Sequence, residues 1–160
     1  MKTLPTWFVH AVALAVLTGC DEDVVSPYVP ADMVGQVRVA LGSGPSHWRT
    51  DVMSIESAYV EGDLLHVEVT HGGGCAPHEY AAVAWNGWLE SHPVQVGTLI
   101  AHYGHGDRCR ALLSAHLRFD LTPLKEAYRT SYGTAPAVLI LNLHTTAPNG
   151  SGALAIEYSF

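Results

Sequence analysis

Two short segments of the chain concentrate side chains that commonly bind metal ions. Residues 70–80, THGGGCAPHEY, place Cys75 three positions before His78, and residues 102–109, HYGHGDRC, add two histidines, an aspartate and a second cysteine. Thiolate sulfur and imidazole nitrogen suit Zn²⁺ and Cu⁺. The spacing therefore allows one metal site built from both segments. Its candidate ligands are Cys75, His78, His102, His105 and Cys109.

The N-terminus has the features of an export signal. Lys2 supplies a positive charge, and residues 7–17, WFVHAVALAVL, are almost entirely apolar. Eleven such residues in a helix rise only about 16 Å, whereas the hydrocarbon core of a bilayer is about 30 Å thick. A positive start, a short apolar stretch and small residues are typical of a signal peptide. The residues that end the stretch, LTGC at 17–20, resemble the lipobox of bacterial lipoproteins.

The lipobox resemblance implies cleavage before Cys20 and attachment of a diacylglycerol to its thiol. Each buried methylene of an acyl chain contributes roughly 0.8 kcal/mol, so several chains anchor a protein firmly. We therefore expect residues 1–19 to be a signal peptide and residues 20–33 to be an acylated, proline-containing tether. Residues 34–160 would form the folded domain, lipid-anchored to a membrane of the bacterial cell envelope.

Acylation of Cys20 would leave Cys75 and Cys109 as the remaining cysteines. The oxidising envelope favours a disulfide between them, which would close a loop of about 35 residues and stabilise the fold by roughly 3–4 kcal/mol. The alternative keeps both as thiolates in the four-ligand metal site. A third possibility combines the disulfide with an open Zn²⁺ or Cu²⁺ site. The ligands of that open site would be His78, His102, His105 and Asp107.

Neither the other histidines nor any motif points to catalysis. The chain contains no G-x-S-x-G, P-loop or H-E-x-x-H sequence. A free Cys75 beside His78 could act as the nucleophile of a hydrolase, but a disulfide to Cys109 would remove it. His102 follows valines and an isoleucine in a strand pattern and is equally a candidate core residue. The histidines interpreted as strand or surface residues without a ligand role are His66, His71, His92, His116 and His144.

The elements that must position these residues are mostly strands. Short apolar runs separated by turn residues follow one another along the chain, about eight in all. In LLHVEVT, residues 64–70, the side chains of Leu65, Val67 and Val69 face one way and the polar residues face the other. This alternation predicts strands with one face packed against a core.

Two further signals complete the predicted fold. Asn86-Gly87 is typical of a two-residue hairpin turn. TPLKEAYRTSYG predicts a short helix near 122–132, with Thr122 as the N-cap, Pro123 in the first turn and Gly133 as the C-terminal cap. Short strands with one helix predict an all-β, mainly antiparallel β-sandwich.

The charge of the chain limits its partners. Removal of residues 1–19 leaves 7 Lys and Arg against 15 Asp and Glu, a formal net charge of 7 − 15 = −8. An acidic domain repels phosphate backbones, so we expect no nucleic-acid partner. The expected partners are the membrane, through the lipid anchor, and an envelope protein, peptide or glycan. Trp85, Trp88 and Tyr103 are candidates for lining such a surface.

Residues 70–144 resemble a known group. The motif GGCxxHxY, then HxxxxDxC, then FDLTPLKEAY is similar to that of NigD-like envelope lipoproteins of bacteria. His105 is not part of that pattern. The group has no established activity, so the resemblance implies an envelope location and the clustering of the motif residues. We therefore expect a binding or structural module whose functional end is the disulfide-closed loop cluster. The matching residues are Gly74, Cys75, His78, His102, Asp107, Cys109, Phe119, Asp120 and Leu121.

Overall fold

The structure is a computed structural model that describes residues 26–42, 48–145 and 153–160. The expected signal peptide and Cys20 lie outside these residues. In the described part of the chain, no helix is long and apolar enough to cross a bilayer. The elements, in chain order, are β1 (Val34–Gln36), β2 (Arg38–Ala40), β3 (Met53–Glu61), β4 (Leu64–Gly73), β5 (Glu79–Leu89), β6 (Val94–Tyr103), β7 (Ala111–Asp120), α1 (Thr122–Tyr132), β8 (Val138–His144) and β9 (Leu154–Ser159).

The strands form two sheets, ordered β1-β7-β4-β3 and β2-β5-β6-β8-β9. The pairs β3–β4, β4–β7, β5–β6 and β8–β9 are antiparallel, whereas β1–β7, β2–β5 and β6–β8 are parallel. The chain passes from the first sheet to the second at Val37, which is buried between β1 and β2. The predicted all-β sandwich with one short helix is confirmed, and the parallel pairs are an addition to it.

Alternating side chains of the central strands fill the space between the sheets. Leu65, Val67 and Val69 of β4 are buried, as their alternation predicted, and they belong to one cluster with Ile100 of β6 and Leu117 of β7. Full burial of an aliphatic side chain of this size contributes about 1.5–3 kcal/mol. The inward faces of β4, β5 and β6 are therefore fixed by packing along their whole length, which also fixes the direction of any polar residue on those faces.

The outer face of β5 and β6 has a smaller apolar cluster of its own, partly covered by Tyr28 and Trp48. The backbones of Val29 and Tyr80 exchange two hydrogen bonds of 2.9 and 2.7 Å. The last part of the expected tether is thereby attached to β5. This attachment leads the chain directly into β1.

Helix α1 spans the predicted residues 122–132, but its N-cap lies one residue before the predicted one. Leu121 is the N-cap and makes no side-chain cap bond. The Asp120 carboxylate instead accepts a 2.9 Å hydrogen bond from the Thr122 backbone N–H. Thr122 is therefore not the N-cap. The side chain of Asp120, at the end of the preceding strand, supplies the oxygen that accepts a hydrogen bond from the first turn of the helix. Gly133 ends the helix at φ 96°, as predicted, a conformation that favours glycine.

The hairpin prediction at Asn86-Gly87 is wrong. Both residues lie inside β5, and the chain does not reverse there. The register of β5 against β6 shifts between Trp85 and Trp88, and Gly87 has φ 74°. The glycine therefore serves a β-bulge in a continuing strand, the other structure that needs a positive φ at this position.

The two ends of the sandwich are closed differently. At the helix end, defined by α1, Asp63, Lys125 and Tyr158, the Asp63 carboxylate accepts a 2.6 Å hydrogen bond from the Tyr158 hydroxyl and pairs with Lys125. The Leu121 backbone N–H donates to the Asp63 carbonyl at 2.8 Å. At the opposite disulfide end, defined by residues 74–78 and 104–110, two loops connect the ends of β4 and β6 to the next strands.

Candidate functional site

The predicted disulfide joins the two loops of the disulfide end. Cys75 and Cys109 are bonded, with their Cα atoms 5.8 Å apart. Neither sulfur is a thiolate in this state, since both are consumed by the bond. The four-ligand Cys/His metal site and a Cys75 nucleophile therefore do not exist in the disulfide-bonded protein. What remains for chemistry at this end is carboxylate and imidazole.

The Asp107 carboxylate connects the two loops of the disulfide end. Its Oδ2 atom accepts backbone hydrogen bonds from Gly74, Cys75 and Ala76 at 2.8, 2.7 and 2.9 Å, and its Oδ1 atom accepts one from Cys109 at 2.8 Å. These bonds, led by those from Cys109 and Cys75, hold the pKa of the carboxyl far below its usual range. The Asp107 carboxylate therefore holds the two loops of the disulfide end together.

Three histidines meet between the sheets just inside these loops. His71 lies near the end of β4, His78 directly precedes β5 and His102 lies near the end of β6. His71 is 4% exposed and His102 is 2% exposed, and the side chain of His78 is 9% exposed. One ring nitrogen from each residue lies within 4.8 Å of the other two. We call these three residues the inner histidine cluster.

The contacts of the inner histidine cluster assign the roles of several nitrogens. His71 Nδ1 lies 3.0 Å from the Gly72 carbonyl oxygen, so this nitrogen carries the proton and donates. His71 Nε2 then accepts from the Tyr80 hydroxyl at 2.7 Å. His78 Nδ1 and His102 Nε2 share a hydrogen bond of 2.8 Å, in which one ring donates and the other accepts.

Two buried nitrogens of the cluster make no well-aligned hydrogen bond among the described residues: His78 Nε2 and His102 Nδ1. The backbone of Asp51 nevertheless lies close enough to the His102 ring to act on it as a weak hydrogen-bond partner. His78 Nε2 lies 3.3 Å from Asp107 Oδ2 but is not aligned for a hydrogen bond. Burial, reinforced by His71 and His78, lowers the pKa of His102 to about 4, against the opposing effects of the Asp51 charge and of a hydrogen bond with the Asp51 backbone. His102 is therefore neutral at ordinary pH and retains a nitrogen lone pair.

Two glycines make room for the His78 ring. A Cβ atom on Gly73 would lie 2.5 Å from His78 Nε2, and one on Gly104 would lie 3.2 Å from its Cε1 atom. Gly73 also has φ 147°, a conformation that side-chain-bearing residues rarely adopt. The backbone at the end of β4 and at the start of the 104–110 loop therefore approaches this imidazole closely and restricts its position.

The cluster opens onto a cleft of about 270 Å³, which is lined in part by Asp51, His78, His102, Gly104 and Asp107. The Asp51 carboxylate accepts a 2.7 Å hydrogen bond from the Gly104 backbone N–H. The cleft therefore combines buried imidazoles with two carboxylates at its wall.

His105, the remaining predicted ligand, lies apart from the inner histidine cluster. Its Nε2 atom is 3.0 Å from Glu79 Oε2, and its ring packs on Tyr103 with centroids 3.9 Å apart. The three aromatic residues expected to line one surface are also separated, since Trp88 packs against Tyr128 of α1 at the helix end.

Sequence reasoning missed His71. It follows Leu65, Val67 and Val69 at the same two-residue spacing, so the alternation of β4 already directed it inward. The same rule places His78 on the face of Tyr80, and the pairing of Tyr80 with His102 brings β5 and β6 together there. The prediction stopped at the end of the apolar run, although the strand continued.

A second histidine pair lies on the outer face of the four-stranded sheet. His66 Nδ1 and His116 Nε2 share a hydrogen bond of 3.0 Å, and Tyr59 stacks on His66. Of the remaining histidines without a predicted role, His92 is exposed and His144 packs against Trp85. These residues do not approach the disulfide end.

Comparisons with known proteins give a fold and no family assignment. No family model matches the chain, and no curated protein matches it. Among solved structures, the chain is similar to a NigD-like immunity protein from Bacteroides caccae, with a TM-score of 0.51 and 17% identity over 79% of this chain and 59% of that one. A putative toxin-related protein from Parabacteroides distasonis matches with a TM-score of 0.47 and 16% identity over 79% of this chain and 61% of that one.

The chain therefore spans only about three-fifths of the length of these two proteins. At such low identity the likeness concerns the fold alone. The expected resemblance to NigD-like proteins is supported at that level: the sandwich of this chain is similar to the one found in a NigD-like protein from Bacteroides caccae.

Proposed function

We propose that the protein is a membrane-anchored envelope lipoprotein that acts as a binding module, with the disulfide end as its binding end. The anchor rests on the lipobox-like LTGC sequence at 17–20 and on the short apolar segment before it. The binding role rests on the disulfide end, where rigid loops surround a polar cleft. Loops held by a rigid scaffold are common recognition sites.

One observation carries the choice of this end. About 90% or more of buried polar groups in proteins are hydrogen-bonded, and an unpaired one costs about 1–3 kcal/mol. Among the described residues, four buried side-chain atoms make no well-aligned hydrogen bond, and two of these four are the nitrogens of His78 and His102 beside the cleft. A protein that keeps two adjacent imidazoles incompletely bonded at a cleft has a site that a ligand can complete.

The larger cavity lies at the helix end and supports binding less well. Its volume is about 680 Å³, and Pro93, Tyr128, Pro136 and Phe160 are among the residues that line it. The histidine in its wall, His92, is exposed. Binding sites combine an apolar surface with convergent polar groups, and this cavity offers mainly the former.

The anchor is tested by cell fractionation of a Cys20→Ser variant. The wild-type chain should sediment with membranes and the variant should be soluble, because the variant lacks the thiol that receives the acyl chains. Cys75→Ser plus Cys109→Ser is the control: it removes the disulfide of the folded domain but keeps the Cys20 thiol, so membrane association should stay intact. A Cys20→Ser variant that stays in the membrane fraction contradicts the anchor.

The binding end is tested by photo-crosslinking in intact cells. A photoreactive amino acid replaces exposed Arg108 at the disulfide end or exposed Glu126 on α1 at the helix end. We expect specific adducts from position 108 and none from position 126. Adducts that form only at position 126 would move the binding end to the larger cavity, and equal labelling at both positions would contradict a localised binding end.

The word immunity describes the protein from Bacteroides caccae. Its relation to this chain is one of fold. A role in neutralising a toxin would be one form of the proposed binding function, and the adducts from position 108 would reveal such a protein partner by its mass.

A further inference from the structure

We propose that His71, His78 and His102 bind one Zn²⁺ or Cu²⁺ ion at the disulfide end. This inference rests on the proposed function, since it names the chemical class of ligand that the binding end takes. It replaces the expected cysteine, Asp107 and His105 ligands with three imidazoles. His71 is the donor that the spacing of the sequence motifs does not contain.

The donor atoms follow from the contacts. His78 Nδ1 and His102 Nε2 point at each other across 2.8 Å, so their lone pairs converge on the space between them once neither nitrogen carries a proton. The Gly72 carbonyl occupies Nδ1 of His71 and leaves Nε2 as its donor. Neutral imidazole nitrogen suits both Zn²⁺ and Cu²⁺. Three protein ligands are typical of a site with an open position, and here the open position would face the cleft.

The surroundings of the rings match those of metal-binding histidines. Such histidines usually donate their second ring N–H to a backbone carbonyl or a carboxylate, which fixes the ring orientation. His71 does so to Gly72 at 3.0 Å. His78 has its Nε2 atom 3.3 Å from Asp107 Oδ2, so a proton on Nε2 would face this carboxylate. This accounts for a buried nitrogen that otherwise has no hydrogen-bond partner.

The geometry requires only local adjustment. One nitrogen from each ring already lies within 4.8 Å of the others. Two nitrogens bound to one Zn²⁺ at about 2.0–2.1 Å each, in tetrahedral geometry, would be about 3.3 Å apart. His78 and His102 must therefore separate slightly and His71 must move inward, away from the Tyr80 hydroxyl. Asp51 and Asp107 at the cleft wall would partly balance the charge of the ion.

The outer pair His66 and His116 provides the matched control. It has the same residue types and a similar nitrogen separation of 3.0 Å. It offers two imidazoles instead of three, and the side chain of His116 is 44% exposed. If the metal site consists of the three buried imidazoles, replacement of His116 should leave the metal affinity unchanged.

The test is metal titration of the full chain, purified in detergent and stripped with a chelator. Zn²⁺ alone and Cu²⁺ alone are titrated by calorimetry into the wild type, His102→Gln, His71→Gln and His116→Gln. We expect one ion per wild-type chain, an affinity at least about tenfold lower in the His102→Gln and His71→Gln variants, and no change in His116→Gln. Unchanged affinity in His102→Gln, equal loss in His116→Gln or no saturable binding by the wild type overturns the proposal.

A measurement on the wild type covers the case in which a variant fails to fold. In ¹⁵N-labelled chain, Zn²⁺ should shift the imidazole nitrogens of His71, His78 and His102 together, with saturation at one equivalent. Shifts confined to His66 and His116, or none, overturn the proposal. Failure here together with specific adducts from position 108 would leave the binding end in place. If the chain bound one ion but both ends were labelled equally, the metal site would stand and the proposed binding end for a macromolecule would be refuted.

Discussion

The helix end and the disulfide end are closed by different kinds of interaction. At the helix end, Asp63 joins Tyr158 and Lys125, so its carboxylate has two side-chain partners. At the disulfide end, a covalent bond and the Asp107 carboxylate hold the loops, while His78 and His102 each keep one nitrogen that makes no well-aligned hydrogen bond with the residues that the structure describes. Satisfied polar groups stabilise a fold, and incompletely satisfied ones identify where a ligand can add to it. The comparison therefore separates a structural end from a chemical one.

The largest expected effect is loss of the disulfide. The Cys75→Ser plus Cys109→Ser variant should lose about 3–4 kcal/mol of unfolding free energy, because the bond closes a long loop in the unfolded chain. Denaturant unfolding measures this loss. Lys125→Met at the helix end, a part-exposed ion pair, should cost only about 0.5–1 kcal/mol. Equal losses at the two ends would remove the contrast between covalent and ionic closure.

Acid should act on the disulfide end first. In metal-free protein, unfolded His102 takes up a proton near pH 6.5, whereas its folded pKa is about 4. Its contribution to stability is therefore complete above pH 6.5 and is lost as the pH falls towards 4, by up to about 3 kcal/mol. Unfolding curves at several pH values measure the slope, which should flatten in His102→Gln.

Asp63 at the helix end should affect stability only at a lower pH than His102 does. Its hydrogen bond with Lys125, and secondly that with Tyr158, lower its pKa from 3.8. The stability that it contributes is present above pH 3.8 and is lost only as the pH falls through the lowered value. An Asp63→Asn variant should therefore leave the slope between pH 6.5 and 4 unchanged. If the slope flattened in Asp63→Asn and stayed unchanged in His102→Gln, the acid response would belong to the helix end and not to the disulfide end.

Two neighbouring glycines sharpen the argument about the His78 ring. Gly73→Ala should cost about 2 kcal/mol, since it combines a positive φ with a Cβ atom 2.5 Å from His78 Nε2. Gly72→Ala should cost less than about 0.5 kcal/mol, because a Cβ atom there meets nothing within 4 Å. Thermal unfolding compares the two variants. A larger loss in Gly72→Ala would show that the backbone does not enclose His78 as described.

The last comparison concerns hydroxyl groups at the helix end. Tyr158→Phe removes the 2.6 Å hydrogen bond to Asp63 from a buried ring and should cost about 1–1.5 kcal/mol. Tyr132→Phe removes a 2.6 Å bond to Glu90 at an exposed site and should change the free energy of unfolding much less. Denaturant unfolding measures both changes. Equal values would mean that the helix end gains nothing from burying its polar network.

Local patterns predicted the elements well where interactions between neighbours in sequence decide them. The alternation of Leu65, Val67 and Val69 predicted a strand face that points into the core. Gly133 predicted the residue at which α1 stops. Asn86-Gly87 failed for the opposite reason. A positive φ serves a hairpin or a bulge equally well, and the pairing of β5 with β6 on both sides of Gly87 selected the bulge.

The sequence by itself determined the strand-rich class, the helix and a disulfide that follows if Cys20 is acylated. Only the tertiary structure decided that His71 joins His78 and His102, that Asp107 binds backbone N–H groups and that His105 lies apart. The physical reason is that these contacts connect residues at or next to the ends of β4, β5 and β6, whose proximity depends on sheet pairing and on packing across the core. Spacing along the chain restricts which atoms can meet, and the sheets determine which of them do.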